Sequence, residues 1–167
     1  VNTHFVTASG LHDEDHYTTA EDLGLIAFEA MKNPRFREIA ATAEWNASRD
    51  VDKFNYFYNK NKVLHQYEGG TGIKIGYTKA AGRCLVASSE RNGMELICVV
   101  LNAGDWFNDT YKLMDTVYEN YEAVPIVQAG VPLKTINVER GTKDYTKLVA
   151  AEDVSIPLTE EEKGQLK

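Results

Sequence analysis

Asn92-Gly93 is the feature that most constrains the fold. Two apolar, β-rich runs, CLVASSE and MELICVV, lie on either side of it. Asn-Gly supplies the two positive-φ positions of a type I′ turn, whose twist matches that of the flanking strands. An antiparallel hairpin is therefore expected in the middle of the chain. With Arg91 facing Met94, Cys84 opposes Leu101 and Cys98 opposes Ala87. Period-two alternation sends the two cysteines to opposite faces, which argues against a disulfide between them. A turn of odd length would reverse that parity. Cys84 and Cys98 are the only cysteines, and their spacing is not that of a zinc site.

Helices precede this hairpin. HYTTAEDLGLIAFEAMKN has Thr18 with Glu21 three residues on, a capping-box pattern, and Leu23, Ile26, Ala27 and Ala30 follow at helical spacing. Asn33-Pro34 then marks a stop and a fresh start, with Asn33 as N-cap and Pro34 at the first helical position. TAEWNASRDVDKFNYFYNKNKVLHQY mixes aromatic residues with Asn, Asp and Lys. It is expected to form one or two short strands, a turn, and a helical turn near its end. After the hairpin, DWFNDTYKLMDTVYENYE puts Phe107, Tyr111, Met114, Val117, Tyr118 and Tyr121 on one stripe, capped by Asp105 and ended by Val124-Pro125. The rest is short β-like runs divided by Gly and Pro, and the tail TEEEKGQLK is expected to fray. Helices and an antiparallel sheet kept apart in sequence indicate an α+β domain.

The 167 residues suffice for one sizeable core. A 43% apolar and 26% charged composition is that of a globular protein. The net charge of −7 argues against non-specific nucleic-acid binding, which needs clustered cations. No apolar run reaches the length of a membrane-spanning helix. The start, VNTHFVTASG, has neither Met nor a signal-peptide pattern, and reads as the middle of a longer or processed protein.

The stretch GGTGIKIGYTKAAG raises the first functional question. As a strand, it puts Lys74, Gly76 and Thr78 on one face and Ile73, Ile75 and Tyr77 on the other. A lysine beside a residue with no side chain leaves room for a ligand against the backbone, and suits a carboxylate-ended peptide bound as an added strand. The plainer alternative, favoured on this segment alone, is an edge lysine that guards against aggregation.

Other chemistry is weaker. HDEDH places His12 and His16 four apart, but in a loop, where a backbone-bonded histidine is the commoner outcome than a metal ligand. None of Ser9, Ser48, Ser88, Ser89 or Ser155 has a lysine three residues on, so no Ser-x-x-Lys nucleophile is present. Tyr118-Glu119-Asn120 matches a variant of Ser-x-Asn but lies on the aromatic helix, where packing explains it.

Three stretches in order, NTHFVTASGLHDEDHYTTAEDLGLIA, GGTGIKIGYTKAAGRCLVASSERNGMELICVVLNA and LVAAEDVSIPL, together resemble the low-molecular-mass penicillin-binding proteins, the serine D-alanyl-D-alanine carboxypeptidases. The resemblance implies an α+β fold: the C-terminal part of a transpeptidase-like domain over residues 1–122, then the start of a small β-rich domain over 123–167. It implies removal of the terminal D-alanine from peptidoglycan stem peptides, outside the bacterial cytoplasmic membrane, through an acyl-enzyme on serine that β-lactams also acylate. No cofactor, metal or nucleic acid is implied. The family's Lys-Thr-Gly motif falls on Lys74-Ile75-Gly76. Lys74 would hold the substrate carboxylate, Gly76 would admit its backbone, and Thr78 adds a hydroxyl. Ile75 stands where the family has threonine and cannot donate a hydrogen bond. That loss would cost about 1.5–3 kcal/mol in the steps that use it.

The family's Ser-x-x-Lys and Ser-x-Asn motifs lie upstream of the matched stretches. This chain alone is thus expected to be inactive towards penicillin. The upstream half would come from a separate chain or by swapping. Two alternatives stand beside the carboxypeptidase: a non-catalytic peptidoglycan-binding or scaffolding relative with a degenerate Lys-Ile-Gly motif, and an unrelated α+β binding module.

Overall fold

The computed structural model describes residues 1–49 and 53–166. They form two compact units, Val1–Val117 and Tyr118–Lys167. In the first, the N-terminal segment leads into α1 (Ala20–Met31) and α2 (Pro34–Ala40). A short pair, β1 (Glu44–Asn46) and β2 (Tyr56–Tyr58), and a helical turn, α3 (Val63–Gln66), follow. Then come β3 (Gly70–Thr78), β4 (Gly82–Arg91), β5 (Met94–Val100) and α4 (Trp106–Asn120). The turn expected between β1 and β2 includes residues 50–52, which lie outside the described residues.

The first helix begins one residue later than its sequence suggests. Thr19 is the N-cap and accepts from Asp22 N at 3.0 Å. Thr18 instead shares a 2.9 Å hydrogen bond with the hydroxyl of Thr3. The choice between adjacent threonines is made by Asp22, whose carboxylate receives the Asn2 N–H at 2.7 Å and the Thr3 hydroxyl at 2.6 Å. These bonds, with Thr19, hold the Asp22 carboxyl below its ordinary pKa even though its burial pushes the other way. Asn33 caps α2 as expected, accepting from Arg35 N and Phe36 N.

The central sheet has the order β3-β4-β5, antiparallel throughout. The hairpin register is the expected one: Arg91 pairs with Met94 and Ala87 with Cys98, with Asn92 and Gly93 both at positive φ. Both cysteines are free. Cys98 faces Thr110 of α4, and burial pushes its thiol pKa up. On the α4 face, Leu85 and Ala87 are almost fully buried with Met114 and Phe107. Here Tyr67 donates to Asp115 at 2.6 Å, stacks on Tyr111 and lies under the Arg91 guanidinium. On the other face, Arg37 of α2 donates to both Glu95 oxygens at 2.6 and 2.8 Å.

The β3–β4 register slips by one residue at Thr71: Gly70 pairs with Ser89, but Gly72 pairs with Ser88. One extra residue is thereby accommodated in β3, as in a β-bulge. From Gly72 onward the ladder is regular to Thr78–Gly82.

Two further expectations need correction. Val124-Pro125 does not end the long helix: α4 stops at Asn120, so Tyr121 falls beyond its stripe and is exposed. Pro125 lies in β6 (Glu122–Val127), beside a register slip, where a missing N–H is tolerated. Asp105 stands at the N-cap of α4 as expected: its carbonyl accepts the first backbone bond of the helix, from Asp109 N, and its carboxylate accepts from the Asn108 side chain at 2.8 Å. The charged tail is not frayed over residues 159–163. Thr159 and Glu162 form a reciprocal capping box on α5 (Glu160–Lys163), and Lys163 pairs with Glu122 and Glu160. The second unit otherwise holds two antiparallel pairs: β6 with β9 (Val154–Leu158), and β7 (Pro132–Asn137) with β8 (Tyr145–Val149).

Candidate functional site

Among the described residues, β3 is an edge strand that pairs only with β4, so its outer row of N–H and C=O groups faces no other strand. On it, Lys74 pairs with Val86, Gly76 with Cys84 and Thr78 with Gly82. Cross-strand partners share a face, so Lys74, Gly76, Thr78 and Cys84 lie together on the side where α2 packs. Ile73, Ile75 and Tyr77 pair with Ala87, Leu85 and Arg83 and belong to the α4 side.

Lys74 is exposed, and its ammonium folds back to donate to the Ile75 carbonyl. Two of its three donors remain for an anion. At Gly76, an added Cβ would meet nothing within 4 Å, so the backbone there is open to a ligand. Thr78 has a local task as well. Its hydroxyl accepts from Ala81 N at 2.9 Å and closes the β3–β4 turn. Ile75 is half-buried against Leu85, which is 1% exposed, so its side chain serves the α4-side core.

The α2 side is assembled around the start of β3. The Ala40 carbonyl and Cβ lie 3.2 and 3.3 Å from where a Cβ on Gly72 would sit, so a side chain there would press α2 back by a few tenths of an ångström and strain a φ of +140°. His16, weighed above as a metal ligand, accepts from Val6 N at 3.1 Å within the N-terminal loop. That loop closes where His4 and Tyr17 exchange backbone bonds.

The sequence reading placed Cys84 by its β5 partner alone and missed that it faces Gly76. The β3–β4 turn Lys79–Ala81 held that information, but without an Asn-Gly signature its length did not fix a register.

This arrangement, helices on an antiparallel sheet with a lysine-bearing edge strand, is the fold of the penicillin-binding proteins and DD-peptidases. Penicillin-binding protein 5 of Haemophilus influenzae superposes over 100% of this chain and 49% of its own, with a TM-score of 0.77 at 27% identity. The Streptomyces K15 DD-transpeptidase, as a C98A mutant, matches 71% of this chain and 49% of its own, with a TM-score of 0.67 at 31% identity. A family model described as D-alanyl-D-alanine carboxypeptidase matches residues 1–105, and one described as the C-terminal domain of penicillin-binding protein 5 matches residues 121–167. The chain therefore belongs to the D-alanyl-D-alanine carboxypeptidase family. It is 30% identical to D-alanyl-D-alanine carboxypeptidase DacF of Bacillus subtilis over 93% of its length, and 30% identical to DacC of Escherichia coli over 99%. In each case it spans 41% of the relative's length.

Proposed function

We propose that this chain provides the peptide-binding wall of a serine D-alanyl-D-alanine carboxypeptidase that trims peptidoglycan stem peptides at the outer face of the bacterial cytoplasmic membrane. The observation that carries the reading is the exposed edge of β3, which among the described residues pairs with no strand but β4, with Lys74 and the open Gly76 on one face. A peptide added to this edge gains main-chain hydrogen bonds, and its terminal carboxylate meets the Lys74 ammonium. Gly76 admits the backbone of the residues before the terminus. The acylated serine and its base belong to sequence outside this chain, and β-lactams compete for the same strand. Residues 1–122 then form part of the catalytic domain and 123–167 part of the β-rich domain. The second family match starting at residue 121 supports a boundary there.

The test is to incubate the product of the complete gene with a fluorescent penicillin. A covalent label that a peptide ending in D-Ala-D-Ala suppresses is expected. No label at any penicillin concentration would overturn the reading. One observation favours the second reading, a non-catalytic peptidoglycan-binding relative: Ile75 places a hydrocarbon where the family has a hydroxyl. Under that reading Ile75→Thr produces neither label nor turnover.

A further inference from the structure

At the turn end of β3 the α4 side holds a cavity of about 560 Å³. Tyr77, Arg83 and Trp106 line it together with Gly82, Asn102 and Gly104. Among the described residues lining it, Arg83 is the one charged side chain. Arg83 pairs across the ladder with Tyr77 and donates Nη1 to the Gly104 carbonyl at 2.7 Å. That bond fixes the guanidinium and leaves its remaining N–H groups for a ligand. Tyr77 is 67% exposed. Asp105 lies beside the cavity but not in its lining, and its carboxylate accepts from Asn108. Asp109 follows one turn further into α4. A cationic recess with aromatic walls, in a chain of net charge −7, suits a ligand with a carboxylate beside an aliphatic stem.

Strand geometry says which part of a peptide reaches it. A peptide whose last residue lies at Lys74, and whose backbone then passes the open Gly76, runs antiparallel to β3 towards Thr78. Counting along that added strand, the residue three before the terminus stands opposite Tyr77, about 10 Å from Lys74. Cross-strand neighbours share a face, so its side chain points to the α4 side, where the cavity is.

We propose that the Tyr77–Arg83–Trp106 cavity is a specificity subsite for an acidic residue three positions before the substrate's terminus. It rests on the peptide-binding role of β3 proposed above, but its ligand chemistry is its own. The subsite makes the site selective for acidic stems and ties recognition of the terminus to recognition of the preceding residues.

The test is a titration of the chain with two N-acetylated pentapeptides ending in D-Ala-D-Ala, with Glu or Gln three residues before the end. The Trp106 indole N–H resonance is followed. The Glu peptide is expected to shift it and to bind about tenfold more tightly than the Gln peptide, the worth of one charge-assisted contact. Arg83→Gln removes that preference and Arg83→Lys keeps most of it. Arg83 is exposed, so both variants retain the wild-type melting temperature. Equal affinity for the two peptides, a preference that survives Arg83→Gln, or no binding of either peptide would overturn the subsite. Penicillin labelling of the complete protein separates the two ideas. An unlabelled protein that still prefers the Glu peptide leaves the subsite standing and removes the carboxypeptidase. A labelled protein whose chain shows no preference does the reverse.

Discussion

Gly76 and Cys84 face each other across the β3–β4 ladder, on the side that carries Lys74. The glycine has open space where its side chain would be, so the half-exposed thiol opposite borders the surface where a substrate backbone is proposed to lie. Cys98, on the other face, is packed against Thr110 with its thiol pKa raised by burial. N-ethylmaleimide is therefore expected to modify Cys84 well before Cys98, because the thiolate is the reactive form. Peptide mapping by mass spectrometry reads the order of modification. In the complete protein, the modified Cys84 should slow penicillin acylation by about tenfold or more, since small displacements at a positioned strand are costly. The Cys84→Ser protein should be immune to the reagent. Faster modification of Cys98 would contradict the assigned faces.

Ile75→Thr should separate stability from function. Ile75 packs on Leu85; the variant loses one methyl and exchanges a methylene for a hydroxyl, and is expected to cost about 1–2 kcal/mol. If the complete protein is the proposed carboxypeptidase, the added hydroxyl should raise kcat/KM for peptides ending in a free carboxylate by about tenfold. Urea melts and steady-state rates on the same preparation check both. A more stable variant, or one with unchanged kcat/KM, would contradict the role assigned to this position.

Asp22 makes part of the stability pH-dependent. Its folded pKa lies below its unfolded value because it accepts from Thr3, Asn2 and Thr19. Its contribution is thus fully present above the ordinary carboxylate range, near pH 4, and is lost as pH falls through the folded pKa. The melting temperatures of wild type and Asp22→Asn should differ most near pH 6.5 and converge towards pH 3. A gap that widens on acidification would show that the sign is wrong.

Two glycines at nearly the same φ should respond very differently to alanine. Gly93 (φ +76) has nothing within 4 Å of an added Cβ, so Gly93→Ala carries only backbone strain, about 1 kcal/mol. Gly69 (φ +70) would place its Cβ 2.3 Å from the Glu90 carbonyl oxygen, a backbone atom that cannot yield alone. Gly69→Ala is expected to cost about 3 kcal/mol. Denaturant midpoints of the two variants decide; equal losses would refute the distinction.

How far the chain could be read before it was seen folded depended on whether a local signal had competitors. Asn92-Gly93 had none, so the register of β4 and β5 followed residue by residue. The α1 cap had two adjacent threonines, and the deciding bonds came from Asn2 and Thr3, far away in sequence. Pro125 looked like a helix stop because proline usually is one, but β6 gave it a strand position whose N–H is not needed. The tail was judged by charge alone, although Thr159 and Glu162 carried the same capping signature sought at Thr18. At the candidate site, Lys74, Gly76 and Thr78 were legible as one face from period two. The partners Cys84 and Arg83 were not, because they depend on a turn without a distinctive dipeptide.

The slip at Thr71 has a consequence for how this part of the chain tolerates change in length. Gly70 and Lys74 are both even-numbered, yet the slip puts them on opposite sides of the sheet, Gly70 opposite Ser89 and Lys74 opposite Val86. The segment arriving from α3 is thereby uncoupled in phase from the segment bearing the lysine. A residue gained or lost upstream can be absorbed at that point, and the charge keeps its side. Between Gly72 and Thr78 there is no such buffer, and a single insertion there would turn the ammonium into the α4-side core. Over the history of a lineage, therefore, the approach to this strand is free to drift in length, and the strand itself is not.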